Sequence, residues 1–144
     1  MSLVTDVRAR MASVTGLVGI EEVADLAALI AANQTPQRSP WAYVLPLGFN
    51  GGPAEVSANA YRQPFEPVIA IVFVVQALDD PKARKALATV DQLEQDTLAL
   101  ICGWAPVGAI GVFRALRGRL VSVSQGLVIY QIDFALQNQL RIVT

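Results

Sequence analysis

The stretch Val68-Ile69-Ala70-Ile71-Val72-Phe73-Val74-Val75 decides the fold of this chain. Every position in it is apolar, so the side chains on both sides of an extended backbone avoid water. β-Branched residues dominate the stretch, and its length is typical of a strand. It therefore predicts a strand that is buried on both faces and lies in the centre of a sheet.

The chain after this strand predicts a long helix and a hairpin. Asp79 or Asp80 followed by Pro81 is a typical helix start, because the carboxylate accepts free amides and proline fits the first turn. The helix is expected to end near Cys102, before Gly103. Its predicted buried stripe contains Leu87, Val90, Leu93, Thr97, Leu98 and Ile101. Two extended segments, residues 112–124 and 127–140, then predict a hairpin that turns at Gln125-Gly126.

The chain before the central strand begins with an amphipathic helix. Apolar residues recur at helical spacing over residues 3–14, and Gly16 ends the pattern. Four weaker segments follow: a strand at 17–23, a small Ala-rich helix at 25–32, a polar loop at 34–40 and a strand at 41–47. Pro46 marks the end or the edge of that last strand, since it cannot donate to a neighbour.

Residues 49–64 (FNGGPAEVSANAYRQP) predict a long exposed loop. They contain turn residues, few bulky apolar side chains and neither a helical nor an alternating period. Long loops inside compact domains are uncommon unless they are disordered or bind a partner. We therefore expect this loop to be mobile in an isolated subunit and to become ordered against a neighbour.

The order of elements predicts a single α+β domain over residues 1–144. A mostly antiparallel sheet of four to five strands carries one long helix and one or two shorter helices on one face. These helices are enough to cover one face of the sheet, but hardly enough to cover both. A neighbouring subunit is therefore expected to cover the rest of the central strand.

The composition also points to a protein interface. Hydrophobic residues make up 53% of the chain and charged residues only 16%, whereas soluble domains usually carry about 25% charged residues. A membrane partner is not expected, because the uncharged run at 97–113 contains glycines and a proline and is shorter than the ~20 residues of a spanning helix. The net charge of −1 argues against a nucleic-acid-coating surface. The remaining explanation for the low fraction of charged residues is an extensive interface with other proteins.

Residue types needed for common catalytic sites are missing. The chain has no histidine and one cysteine, which excludes Ser-His and Cys-His systems and ordinary zinc clusters. Cys102 lies at a predicted helix C-terminus, where the dipole disfavours a thiolate, so it is expected to pack in the core. Asp91, Glu94 and Asp96 could form a metal site, but an exposed acidic helix face is the favoured interpretation. The prediction is a protein that is not an enzyme, with no catalytic residue, no cofactor and no metal.

One basic cluster has two interpretations. Arg114, Arg117 and Arg119 lie within or beside a predicted strand. They form either a solvated edge, which is the favoured interpretation, or a surface that faces phosphate or pairs subunits. Together with residues of the predicted loop, they make up the candidate interface: Arg114, Arg117, Arg119, Phe49, Asn50, Tyr61 and Arg62.

Short motifs in a fixed order carry a resemblance to a known family. They are the opening MSLVTDVRAR at 1–10, YVLPLG at 43–48 after a proline-containing loop, GWAP at 103–106, and the closing hairpin at 118–135. In this order the chain resembles the tail terminator-like proteins of long-tailed phages and prophages. The closing strand departs from the family pattern by carrying Asn138 and several glutamines.

The resemblance implies a structural virion protein of the tail. Six copies would form a homo-oligomeric ring on the head-proximal end of the tail tube, end tail polymerisation and offer a surface for head–tail joining. The implied partners are the tail tube protein and the head–tail connector protein, with DNA passing through the lumen without sequence-specific binding. Assembly would take place in the bacterial host cytoplasm.

Two other classes of function stay open at this point. One is a small-ligand or protein-binding α+β domain of unrelated bacterial function, which would need a concave apolar pocket with convergent polar groups. The other is an enzyme that uses carboxylates, and it is the least favoured of the three.

Overall fold

The computed structural model describes residues 2–24, 27, 38–78, 82–124 and 126–143. Within these residues the chain forms two helices and a single mixed sheet of seven strands. The helices are α1 (Leu3–Met11) and α2 (Arg84–Ile101). The strands are β1 (Gly19–Glu22), β2 (Trp41–Gly51), β3 (Glu55–Ser57), β4 (Ala60–Gln76), β5 (Phe113–Ser124), β6 (Leu127–Leu136) and β7 (Gln139–Val143).

The central strand of the sheet is β4, as residues 68–75 predict. The main sheet has the order β1-β2-β4-β6-β5, and β3 and β7 pair with the N-terminal part of β4. β1 is parallel to β2, and every other described pair is antiparallel. The α+β class is therefore broadly correct, but the sheet is larger than predicted and mixed. One added strand arises because the predicted segment 127–140 is divided at Gln137 and Asn138 into β6 and β7.

Both described helices pack on one face of the sheet, which we call the first face. Apolar side chains of α1 and α2 contact the alternate residues of β4 and β6 that point to this side. The core includes Val7, Met11, Val90, Leu93, Ile101, Ile69, Ile71, Phe73, Ile132 and Phe134. Ser2 begins α1 by accepting a hydrogen bond from the amide of Thr5 at 3.2 Å.

The opposite side of the sheet, the second face, is also buried along the central strand. Ala70 and Val72 have no exposed surface, and they pack in a second apolar cluster with Tyr43, Leu45 and Ile129. The prediction of a strand buried on both faces is therefore confirmed. The expectation that one chain hardly covers both faces of this strand is wrong, because residues 68–75 are all buried within one chain.

Two predicted helix starts fall outside the described residues. These are the aspartates and proline at 79–81 and, apart from Ala27, the small helix at 25–32. The described part of α2 begins at Arg84, and the preceding Ala83 provides no side-chain cap. The predicted helix stop is confirmed, since α2 ends at Ile101 and Gly103 has a φ of +83° that favours glycine.

Residues 49–64 do not form the predicted loop. β2 continues to Gly51, β3 follows, and β4 begins at Ala60, so most of this segment is hydrogen-bonded strand. Ala60 pairs with Ser57 on one side and with Val143 on the other. We call this three-stranded extension, made of β3, residues 60–64 and β7, the arm. The loop prediction is wrong because residues 49–51 pair with residues 65–67 and residues 60–64 pair with β7, and no local period reports these partners.

Candidate functional site

The arm has an apolar side that continues the first face of the sheet. The strand register sets Val56 and Ile142 on either side of Tyr61. Side chains two residues apart share a face, so Tyr61 lies on the same side as Phe65 and Ile69 further along β4. Val56 is 78% exposed and Ile142 47% exposed. The arm therefore extends an apolar sheet surface beyond the two helices that cover it elsewhere.

The other side of the arm is charged. Glu55 and Arg141 are the register partners of Arg62 on its two sides. Arg141 donates to Oε1 of Gln139 at 2.8 Å. The side chain of Arg62 has no hydrogen bond or ion pair with any residue that the structure describes. The arm is thus amphipathic, with one face suited to contact protein and the other to contact water or an opposite charge.

An apolar groove of about 600 Å³ lies at the base of the arm, between the start of α1 and the sheet. Its wall includes Phe49 and Phe65, whose ring centroids are 4.5 Å apart. Its carboxylate, Glu22, already accepts a hydrogen bond from the Thr5 hydroxyl at 2.8 Å. The groove therefore offers apolar surface without the several convergent polar groups of a small-molecule site.

The three arginines of the candidate cluster lie on one edge strand. Arg114, Arg117 and Arg119 pair with alternate residues of β6, so all three point to the second face at strand β5. Arg114 makes an ion pair with Glu66 at 3.1 Å, and Arg117 donates to Asp133 at 3.0 Å. The side chain of Arg119 has no hydrogen bond or ion pair with a described residue. We call this row of side chains the arginine edge.

The structure separates the predicted interface residues into two groups. Phe49 and Tyr61 lie on the first face, where the apolar side of the arm and the groove meet. On the second face lie Asn50, Arg62, Arg114, Arg117 and Arg119. Val56 and Ile142 were not among the predicted interface residues, although the alternation of Leu140 and Ile142 is a signal for a strand.

Asp133 was also missed as a buried partner of the arginine edge. The alternation in β6 predicts that Asp133 and Gln131 share a face of the sheet. The structure confirms this prediction. Both side chains are nevertheless buried. Gln131 donates to Oδ1 of Asp133 at 2.7 Å, so the carboxylate is held from two directions. A pattern that alternates apolar and polar residues indicates which side chains share a face, but not whether a polar face is exposed.

A second surface, the α2 edge, lies at the opposite end of the sheet. It consists of the helix stripe Leu87, Asp91 and Glu94 and the β5 residues Leu120 and Val123, which point to the face of the sheet that the helix covers. Leu87 was predicted to be buried but is exposed, because the buried stripe of α2 runs through Ala86 and Val90. Leu120 is 49% exposed.

Tyr130 connects the helix and strand parts of the α2 edge. It is the register partner of Leu120, and its hydroxyl is hydrogen-bonded to Glu94. Burial, this hydrogen bond and the charges of Glu94 and Asp91 raise the pKa of Tyr130 to about 12. The α2 edge therefore combines apolar side chains with a negative potential.

Nucleophilic and metal chemistry gain no support from the arrangement. Cys102 is exposed, so the prediction that it packs in the core is wrong. The reason is that it leaves the helix in an extended conformation, one residue after the buried Ile101. The described ranges contain no group of three potential metal-ligating residues, and neither described helix is long and apolar enough to span a membrane.

Comparison with known proteins assigns the chain to the structural proteins of phage tails. The family described as phage tail terminator protein matches residues 3–144. The chain therefore belongs to the phage tail terminator family.

Comparison with solved structures supports the fold. The chain is similar to one in the structure titled "Virion of native gene transfer agent (GTA) particle", with a TM-score of 0.60 and 12% sequence identity. The similarity covers 96% of this chain and 95% of the other. At this identity, it shows a shared fold alone. The comparison with curated protein sequences gives no match.

Proposed function

We propose that this phage tail protein closes into a ring of identical subunits, a hexamer, on the head-proximal end of the tail tube. The ring ends tail polymerisation and provides the surface for head–tail joining. Membership of the tail terminator family supports this role. The structural observation that carries the proposal is the amphipathic arm, whose apolar side has no cover within the described part of the chain.

The arm supports a ring for a physical reason. Val56 and Ile142 expose apolar surface at the end of a projecting sheet, and contiguous exposed apolar surface marks protein contacts. If an arm contacts a different surface on the next subunit, the same contact repeats around the assembly. Such head-to-tail contacts produce a closed ring when the rotation between subunits closes.

The arginine edge fits the lumen of this ring. Contacts to DNA phosphates carry no sequence information, which suits DNA that passes through without sequence-specific binding. Glu66 and Asp133 partly neutralise Arg114 and Arg117, so the surface attracts the phosphate backbone only weakly. The rims of the ring then contact the tail tube protein and the head–tail connector protein. A protein with this role is structural and needs no catalytic residue.

The alternative function, a small-ligand or protein-binding domain of unrelated bacterial function, has weaker support. Its best site would be the groove beside Phe49 and Phe65. The groove is open and apolar, and the Glu22 carboxylate in its wall already accepts the Thr5 hydroxyl. A protein surface fills such a groove more readily than a small polar ligand does.

Electron microscopy of tails and light scattering of the purified protein test the proposal together. We expect a ring at one end of each tail, and tails of uncontrolled length when the protein is withheld. Light scattering over a concentration series measures whether the ring also forms without the tube. A protein that is strictly monomeric in solution and also leaves no ring on the tail would rule out the proposed function.

A further inference from the structure

We infer that the joint between ring subunits is a head-to-tail contact in which the apolar side of the arm packs against the α2 edge of a second copy of this chain. The inference rests on the proposed function, because it assumes a ring. It deepens that proposal by identifying the two surfaces that meet.

The two described helices leave part of the first face uncovered. α1 and α2 cover the sheet over residues 69–75 of β4, but neither reaches the arm, where Tyr61 lies between Val56 and Ile142. An apolar sheet face is normally packed against a helix or a second sheet. A helix edge supplied by another subunit would continue the layer across the arm.

The α2 edge also leaves apolar side chains exposed. Leu120 and Val123 are exposed on β5, the last strand of the main sheet, and Leu87 is exposed on the helix that packs on the same face. No described strand pairs with the outer side of β5. Apolar side chains at an unpaired sheet edge are a typical site of association.

The position of the two surfaces favours a second copy as the partner. Tyr61 lies near the N-terminal end of β4, whereas Val123 lies beside the C-terminal end, because its partner Val128 pairs with Val75. The intervening residues of β4 span about 50 Å at the usual rise of a strand. The surfaces therefore cannot meet within one subunit, and their contact between subunits is heterologous, as a ring requires.

The arm carries a net positive charge, with Arg62 and Arg141 against the single acid Glu55. These three charges lie on the side of the arm that faces away from the joint, so they do not contact the α2 edge. The like net charges of two arms oppose an arm-to-arm contact, which leaves a different surface of the second copy as the partner.

Thiol crosslinking tests the joint directly. In a Cys102→Ser background, Ile142→Cys marks the arm and Leu120→Cys marks the α2 edge, and a short bifunctional thiol reagent is applied to free protein and to assembled tails. A chain with both cysteines is expected to give a ladder of oligomers up to the full ring. A mixture of the two single variants is expected to stop at crosslinked dimers, and neither single variant should crosslink alone.

Val143→Cys is the matched control for the arm. Val143 follows Ile142 in β7 and is 83% exposed, but it points to the charged side of the arm. Combined with Leu120→Cys, it should give a several-fold lower crosslinking yield. In the same way, Ile142→Asp should lower the ring population at least about tenfold, whereas Val143→Asp should leave it nearly unchanged. Circular dichroism of both variants shows whether they fold.

The other outcomes overturn the inference in distinguishable ways. Self-crosslinking of Ile142→Cys would identify an arm-to-arm contact, and crosslinking of that cysteine to the tube protein would identify a different partner. Tails that carry rings but give no 142–120 crosslink would preserve the proposed function and reject this joint. Tails without rings and without crosslinks would reject both.

Discussion

Arg117 and Asp133 form an ion pair that joins the exposed edge of the sheet to its buried interior. The Nε atom of Arg117 lies 3.0 Å from Oδ2 of Asp133. The arginine side chain is 63% exposed, whereas the aspartate side chain is 6% exposed. Loss of the arginine would therefore leave a buried carboxylate without its partner, whereas loss of the aspartate would leave a guanidinium group that already contacts water.

Replacement of Arg117 by alanine should destabilise the fold more than replacement of its neighbour Arg119. Arg117→Ala leaves a buried carboxylate without its cation, and we expect the free energy of unfolding to fall by about 2 kcal/mol, less than for a fully buried pair because the guanidinium is exposed. Arg119→Ala removes a side chain without a described partner and should cost less than about 0.5 kcal/mol. Urea unfolding measures both. Equal losses would mean that the ion pair contributes nothing.

Tyr130 should make the protein less stable at high pH. The unfolded chain loses the tyrosine proton near pH 10, whereas the folded protein retains it up to about pH 12. The folded state thus binds more protons between these values, and the free energy of unfolding decreases as the pH rises from about 10 to about 12. The stabilisation that protonated Tyr130 gives the folded state is fully present below about pH 10.

The control for this pH dependence is Tyr130→Phe, because phenylalanine cannot ionise. The difference between the unfolding curves of the wild-type protein and the variant isolates the tyrosine from other groups that titrate at high pH. Absorbance of the tyrosinate gives an independent titration. If the two proteins lose stability in parallel above pH 10, the raised pKa of Tyr130 is not coupled to folding.

Gly19→Ala should be destabilising because the ring of Trp41 packs directly against the glycine. A Cβ atom at position 19 would lie 2.2 to 2.6 Å from three ring atoms of Trp41, well inside contact distance. We expect a loss of about 1–3 kcal/mol from overpacking. A double-mutant cycle with Trp41→Ala provides the control, since the added methyl group should cost much less once the ring is removed. A purely additive cycle would contradict this explanation.

Removal of β7 should loosen the arm but leave the central sheet intact. A chain that ends at Asn138 lacks the strand that pairs with residues 60–64 of β4. We expect hydrogen-exchange protection of these amides to fall in the shortened chain while the amides of residues 68–76, which pair with β2 and β6, stay protected. Unchanged protection of the arm amides would show that the hairpin of β3 and β4 is stable without β7.

The elements that the sequence predicts well are those whose signal is local. Residues 68–75 are apolar on both sides, and they form the centre of the sheet. The hairpin of β5 and β6 follows from two extended segments separated by a short turn, and the buried stripe of α2 from Val90 to Ile101 follows from helical spacing. The lack of histidine excludes whole classes of catalysis by composition alone, since no fold can supply a side chain that the chain does not contain.

The features that matter for assembly depend on pairing between distant residues. Arg62 meets Arg141 across the arm, and no periodicity within residues 49–64 reports a partner so far along the chain. Arg117 meets Asp133 only because a register shift in β5 aligns them.

By itself, the sequence determined which residues alternate and which can be buried, because these properties depend on side-chain chemistry and on the repeat of a single strand or helix. The tertiary structure alone decided that β3, residues 60–64 and β7 form an arm and that Asp133 is buried. It also decided that the apolar side of the arm lies at the opposite end of the sheet from the α2 edge. Strand register and the covering of each face are set by non-local contacts, and a one-residue change of register would turn every side chain of a strand to the other face.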